Sequence, residues 1–221
     1  KEDKSDPVAY SVLFQLITGL LIAIYGLIIG RMSFPSDIYP IIPNLILMIV
    51  LYAFGNIFLF QSLKQIESSK FIVLFSTRAL FSILASSAIL GEYLEISQWI
   101  GVLFIFESVI LVTLNSLRIS LSRGEMSAIL AAICFGLANT NDRYLLKYIS
   151  VYPYVFLAFI VPAIFIAMVQ PKVVNKIRGI INKEFLSKLL ILSIIYAIGA
   201  ITFFNALQIS PNSSQVVTIN I

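Results

Sequence analysis

Apolar residues in this chain come in long blocks rather than in alternation with polar ones. Stretches long enough to cross a bilayer core of about 30 Å lie at 8–30, 41–63, 71–91, 97–117, 126–147, 153–170 and 186–207. An eighth starts near Gln215. Each block predicts one membrane-spanning helix, because a membrane β-barrel would show roughly ten-residue segments of alternating hydrophobicity instead. Short connectors with turn chemistry separate the blocks: "RMSFPSDIYP", "GEYLEIS", "NSLRISLSRGE" and "SVYP". Only "PKVVNKIRGIINKEFLSK" is long, and it reads as an amphipathic or solvated basic loop.

One phrase returns. "LYAFGNIFLFQSLKQIESSKFIVL" from Leu51 and "IYAIGAITFFNALQISPNSSQVVT" from Ile195 share eight of 24 positions, among them Tyr52/Tyr196, Gly55/Gly199, Phe60/Phe204, Ser69/Ser213 and Val73/Val217. Unrelated apolar segments would share about two, so the match reads as an internal repeat. "SDPVAYSVLF" likewise resembles "VYPYVFLAFI", with Pro7 set against Pro153. The matched blocks are the second and the seventh, five crossings apart. An odd number of crossings turns the second copy upside down in the membrane, which is the inverted-topology repeat of many secondary transporters. The expected fold is an all-α polytopic membrane protein made of two inverted five-helix units. Completing both copies takes a helix before Lys1, the rest of the eighth block and one helix after Ile221. That gives ten spans in the parent protein, with seven full spans and a stub here. The units divide as 1–117 (first helix missing), a linker at 118–125, and 126–221 (truncated at its C-terminus).

Composition agrees. Hydrophobic residues make up 59% of the 221 and charged residues 12%, with a mean hydropathy of +0.98. Soluble domains hold about half apolar and a quarter charged residues. Histidine is absent and Cys134 is the single cysteine. Those counts exclude a disulfide framework, a Cys/His metal cluster and imidazole acid–base chemistry, and no cofactor is implied. Cys134, inside an apolar run, reads as a small packing residue. The net charge of +4 is spread over loops, so no nucleic-acid patch is indicated. The implied partners are the lipid bilayer and a small-molecule substrate; oligomeric state is left open. Metalloprotease, nucleophile-elbow and P-loop patterns are absent, so an enzyme is not expected.

Several polar residues lie inside the apolar blocks. Arg78 and Glu107 sit near the middle of consecutive, antiparallel spans. Either charge alone at the bilayer centre costs at least ~2.5 kcal/mol, so the two are expected to approach each other. Such a pair is either a structural tie or a functional one, with Glu107 taking up a proton or Arg78 binding an anionic group. In "LANTNDRYLLK", Asn139, Asp142 and Arg143 share a helix face while Asn141 points away. They read as a helix-end charge pair or as the mouth of a polar cavity. Tyr52 and Asn56 lie one turn apart, and Tyr196 is the repeat mate of Tyr52, so the two rings are candidates to flank a substrate. Ser76 completes the cavity candidates. Gln61 and Asn205 correspond across the repeat as possible helix bridges. "GLIIG" at 26–30 matches a small-xxx-small contact pattern.

"AILGEYLEISQWIGVLFI", with Gly91, Glu92 and Gly101, the Asp6-Pro7 start, and "CFGLANTNDRYLLKYIS" resemble the EamA-type members of the drug/metabolite transporter superfamily. Two positions depart from the family pattern. Ala79 stands where many members carry proline, which removes the usual cause of a kink, and Glu107 replaces a common glycine. Glu92 reads as a structural residue of its turn. The resemblance implies a multi-pass protein of the cell membrane that moves a small polar or amphipathic metabolite, most naturally outward, by alternating access. A non-transporting scaffold or receptor-like protein, or an integral-membrane enzyme, are the alternatives. Eleven basic loop residues on one side against three on the other make the first side cytoplasmic. The family's usual orientation implies the reverse, so orientation stays open.

Overall fold

The computed structural model describes residues 6–91, 96–115, 118–119, 121–210 and 216. Lys1, Lys4, Glu92, Ser213, Val217 and, Val216 apart, the eighth apolar stretch lie outside these residues. The described chain is helical apart from a two-residue antiparallel pairing of Leu114–Asn115 with Arg118–Ile119. Its helices are α1 (Pro7–Ile28), α2 (Ile42–Gln65, entered through a 3-10 turn at Tyr39–Ile41), α3 (Ser68–Ser76), α4 (Arg78–Leu90) and α5 (Ile96–Thr113). They continue with α6 (Arg123–Leu145), α7 (Val151–Val169), α8 (Lys172–Ile180) and α9 (Lys183–Ile209).

Among the described residues, five segments are long and apolar enough to cross a membrane: α1, Tyr39–Gln65, Ser68–Leu90, α7 and α9. The two other expected spans fall on α5 and α6. The apolar part of α5 is short, and α6 carries the polar run Asn139–Arg143, so length and composition alone do not single either out. Large side chains such as Ile28, Phe104, Leu111 and Ile198 point outward. This is the surface of a helix bundle solvated by lipid, where every backbone group is satisfied within its own helix.

The chain forms two compact units. The first holds α1, the first half of α2, the last turn of α6, and α7 to α9. Asp6 starts α1: its carboxylate accepts from the amides of Val8 (3.0 Å) and Ala9 (3.1 Å), with Pro7 at the first helical position. Such caps satisfy amides that the helix itself leaves unpaired. Helix α1 then runs antiparallel to α7. A Cβ on Gly19 would sit 2.7 Å from Ile160, and one on Gly26 would sit 3.3 Å from Tyr152. Without a water-driven hydrophobic effect in lipid, small residues that admit close approach are what bind helices together. Of the two glycines in "GLIIG", only Gly26 serves that purpose. Gly30 adopts φ +66° and ends the helix. The long basic connector folds into the short amphipathic α8, where Val173 is buried and Lys176 reaches the Asp6 carboxylate at 2.5 Å.

The second unit holds the rest of α2, α3 to α5, and most of α6. Gly124, Ala128, Ala132, Gly136 and Thr140 recur every fourth residue along α6, and all are buried. A Cβ on Gly136 would meet Phe81 Cβ at 2.6 Å, the Arg78 carbonyl oxygen at 2.7 Å and the Ser82 nitrogen at 3.0 Å. The α6 backbone therefore lies almost directly on that of α4. Thr140 donates across the same contact to the Ser82 carbonyl at 3.3 Å. One turn earlier, α3 and α4 are interrupted at Thr77 although Ala79 supplies no proline. Ser76 Oγ donates to the Val73 carbonyl (2.6 Å) and Thr77 Oγ1 to that of Leu74 (2.7 Å). Hydroxyls that bond back to their own helix in this way compete with the backbone ladder.

Candidate functional site

At the end of α6, Asp142 is fully buried. Its Oδ2 accepts from the Tyr52 hydroxyl on α2 at 2.5 Å, and its Oδ1 accepts from the Tyr154 hydroxyl on α7. Among the described residues no ion pair reaches this carboxylate. The local sequence explains the placement. Leu145, Leu146, Ile149 and Val151 are buried just beyond it, so the helix end is sealed by aliphatic side chains. Tyr154 itself has no exposed surface, and its ring lies 5.4 Å from that of Phe204, edge to face. The Gln208 amide closes the floor by donating to the Leu146 carbonyl at 2.9 Å.

Two residues singled out from sequence, Tyr52 and Asp142, thus meet directly. The carboxylate pairs with hydroxyls rather than sitting in a helix-end charge pair with Arg143, which is half-buried. Asn139, Asn141 and Asn56 are all buried, so both faces of α6 are covered at this level. Ser76 is half-buried and satisfied by its own helix. The guanidinium carbon of Arg78 lies 4.9 Å from the centre of the Phe75 ring, within cation–π range. Glu107 lies on the exposed face of α5. Tyr196 does not mirror Tyr52. It is 43% exposed and packs edge to face on Phe14 (5.0 Å) and Phe159 (5.9 Å). Asn205 bonds the Ile201 carbonyl of its own helix at 2.7 Å.

Sequence reading missed three features. Tyr154 lies in a run of aromatics that offers no clue as to which ring will meet a carboxylate. Ser11, Gln15 and Thr18 form a buried polar stripe on α1. Gln15 donates to Ser11 Oγ at 3.0 Å, while Gln15 Oε1, Thr18 Oγ1 and, on α9, Ser193 Oγ have no hydrogen-bond partner among the described residues. Third, Ser122 and Glu125 cap α6 reciprocally: the Ser122 amide donates to Glu125 Oε2 at 2.5 Å, and the Glu125 amide donates to Ser122 Oγ at 3.3 Å. Lys70 of α3 completes this cap as the partner of Glu125 Oε1. The Ser-x-x-Glu spacing was a legible signal. Burial opposes the charge of Glu125, yet the Lys70 ammonium and the Ser122 amide and hydroxyl hold its carboxyl below the ordinary value of 4.5. Asp6 behaves alike. Burial works against it, but Lys176 and the Ala9 and Val8 amides keep it below 3.8.

A helical, multi-pass membrane protein with a carboxylate enclosed among its helices is the class these observations define. Residues 4–114, half of the chain, match the EamA-like transporter family, and the chain belongs to that family, one of membrane transporters of the drug/metabolite kind. A solved structure described only as "Crystal structure of protein" is similar over 97% of this chain and 74% of its own, with 16% identity and a TM-score of 0.70. At that identity the likeness speaks for the fold alone. No curated protein matches significantly.

Proposed function

We propose that the chain is a secondary transporter, working as an exporter, that moves a small polar or amphipathic metabolite across the cell membrane by alternating access between two inverted repeats. The observation that carries this reading is Asp142. A carboxylate inside an apolar helix bundle is costly, and bundles that carry one generally use it. The orphan polar atoms of Gln15, Thr18 and Ser193 support a polar substrate, because buried groups without partners are where water or ligand is accommodated. Tyr52 and Asp142, which meet at 2.5 Å, are the residues we assign to the substrate path. The inverted repeat is supported by the antiparallel contact of α1 and α7, the helices that carry the matched Pro7 and Pro153 in their first turns. Gly19 packs on Ile160, whose repeat mate, 146 residues earlier, is Phe14.

The test is uptake of a panel of labelled metabolites into proteoliposomes. The wild-type protein should accumulate at least one of them, and Tyr52→Phe should weaken its uptake without unfolding the protein. Absence of any uptake from a protein of native helicity would favour the scaffold reading.

A further inference from the structure

Proton coupling is the use to which the Asp142 cluster is best suited. We propose that Asp142 binds and releases the proton that couples transport to a pH gradient, with Tyr52 and Tyr154 holding the carboxylate whenever the proton has left. The proposal rests on the transporter reading for its biological meaning, but the proton site itself can be tested without a substrate. Both carboxylate oxygens are engaged, each by one tyrosine hydroxyl, and the residue has no exposed surface. The groups that face it are few. Helix α2 presents Tyr52 and α7 presents Tyr154; on α6 itself the neighbouring charge is the half-buried Arg143. Helix α9 contributes the Phe204 ring, through Tyr154, and the uncharged Gln208 amide. A bound sodium ion would require several oxygens directed at one point, including carbonyls or water. Here each tyrosine instead aims an O–H at the carboxylate, which is an arrangement for stabilising an anion that comes and goes.

The proton balance ties occupancy to helix packing. When a proton arrives on Oδ1 or Oδ2, that oxygen becomes a donor. Its bond to the facing tyrosine loses the anion that strengthened it and can reverse, the carboxylic O–H donating to the tyrosine oxygen while the phenolic O–H turns to another acceptor. The bond that rearranges joins α6 either to α2 or to α7. Loss of the proton restores two charge-assisted bonds and draws the three helices together. Protonation therefore selects between two packings of the same helices, which is what a coupling site must do.

Infrared difference spectroscopy of the intact protein in liposomes, titrated across roughly pH 5–9 and centred on the neutral range where a coupling group has to work, tests this directly. A carboxylic C=O stretching band that shifts in deuterium oxide should titrate in the wild type and vanish in Asp142→Asn. Tyr52→Phe and Tyr154→Phe should each move its midpoint, in the same sense, by about one pH unit, the size of one charge-assisted hydrogen bond. If Asp142→Asn fails to fold, Asp142→Glu and the two phenylalanine variants carry the test, since Asp142→Glu keeps a titrating band at an altered frequency. A band absent at every pH, or unchanged in these variants, overturns the proposal, as does a band lost in Glu107→Gln and retained in Asp142→Asn. Trapped pyranine then reports proton entry when the metabolite panel is added. A band that follows Asp142 in a protein that moves no metabolite would sink the transport reading and leave the proton site standing. Metabolite uptake indifferent to the pH gradient, with no Asp142 band, would do the reverse.

Discussion

Single residues decide how near these helices come. Gly136 lets the α6 backbone rest on the Arg78–Ser82 segment of α4, and two of the three atoms a Cβ would strike belong to backbone. Backbone cannot swing aside as a side-chain tip can, so even Gly136→Ala should destabilise the protein by about 1–3 kcal/mol, the ordinary cost of overpacking. Thermal unfolding in detergent, compared with Ala138→Gly as a control on the same helix, would read it. A midpoint unchanged by Gly136→Ala would mean that the α4–α6 contact is looser than described. Neither this contact nor the Asp142–Tyr154 bond could be read from the chain alone. Periodicity tells which residues share a face of one helix. It does not tell which other helix that face meets. Asp142 and Tyr52 were visible as polar residues in apolar surroundings; their 2.5 Å bond spans 90 positions of sequence, and only the packing brings them together.

Whole helices were more legible than their contacts, because length and hydropathy are local properties. The exceptions are instructive. Helix α6 carries so many polar groups that its membrane character depends on neighbours covering them, and α8 emerged from a segment read as a loop because nine residues give too short a period to recognise. The start of α6 was readable in principle. Ser122 and Glu125 make the reciprocal cap, and Lys70 fastens it to α3. Ser122→Ala should cost about 1 kcal/mol, as losing a cap usually does. The pH dependence follows from the depressed Glu125 carboxyl. Unfolded, it ionises near 4.5; folded, it ionises lower, so the unfolded chain binds more protons in between and stability rises with pH across that window. The contribution is complete above 4.5 and disappears as pH falls through the folded value. Glu125→Gln should flatten the acid limb of the stability profile, leaving the slope due to Asp6, which is depressed for the same kind of reason. An acid limb identical in the variant would show that the Lys70 pair contributes nothing.

At the scale of the molecule, the inverted repeat was the boldest inference from sequence, and it rested on Tyr, Gly and Phe recurring in step. The residues matched by sequence do not play matched parts: Tyr52 is buried on Asp142, while Tyr196 faces outward beside Phe14. Copies that share a fold can diverge in this way, one keeping the polar work and the other the packing. What the proposed repeat requires is that its two copies run in opposite directions. Helices α1 and α7 lie antiparallel, since Gly26, late in α1, approaches Tyr152, early in α7, and Gly19 approaches Ile160. Their C-terminal ends must then open on opposite faces of the membrane. Arg31 follows α1 and Gln170 follows α7, and both are exposed. In a Cys134→Ser background, a membrane-impermeant thiol reagent should label Arg31→Cys and Gln170→Cys from opposite sides: one in intact cells, the other only after permeabilisation. The assignment of which is which would also settle the conflict between the basic-loop bias and the family's usual orientation. Labelling of both from the same side would leave two parallel copies, with no means of exchanging access by a mirrored motion.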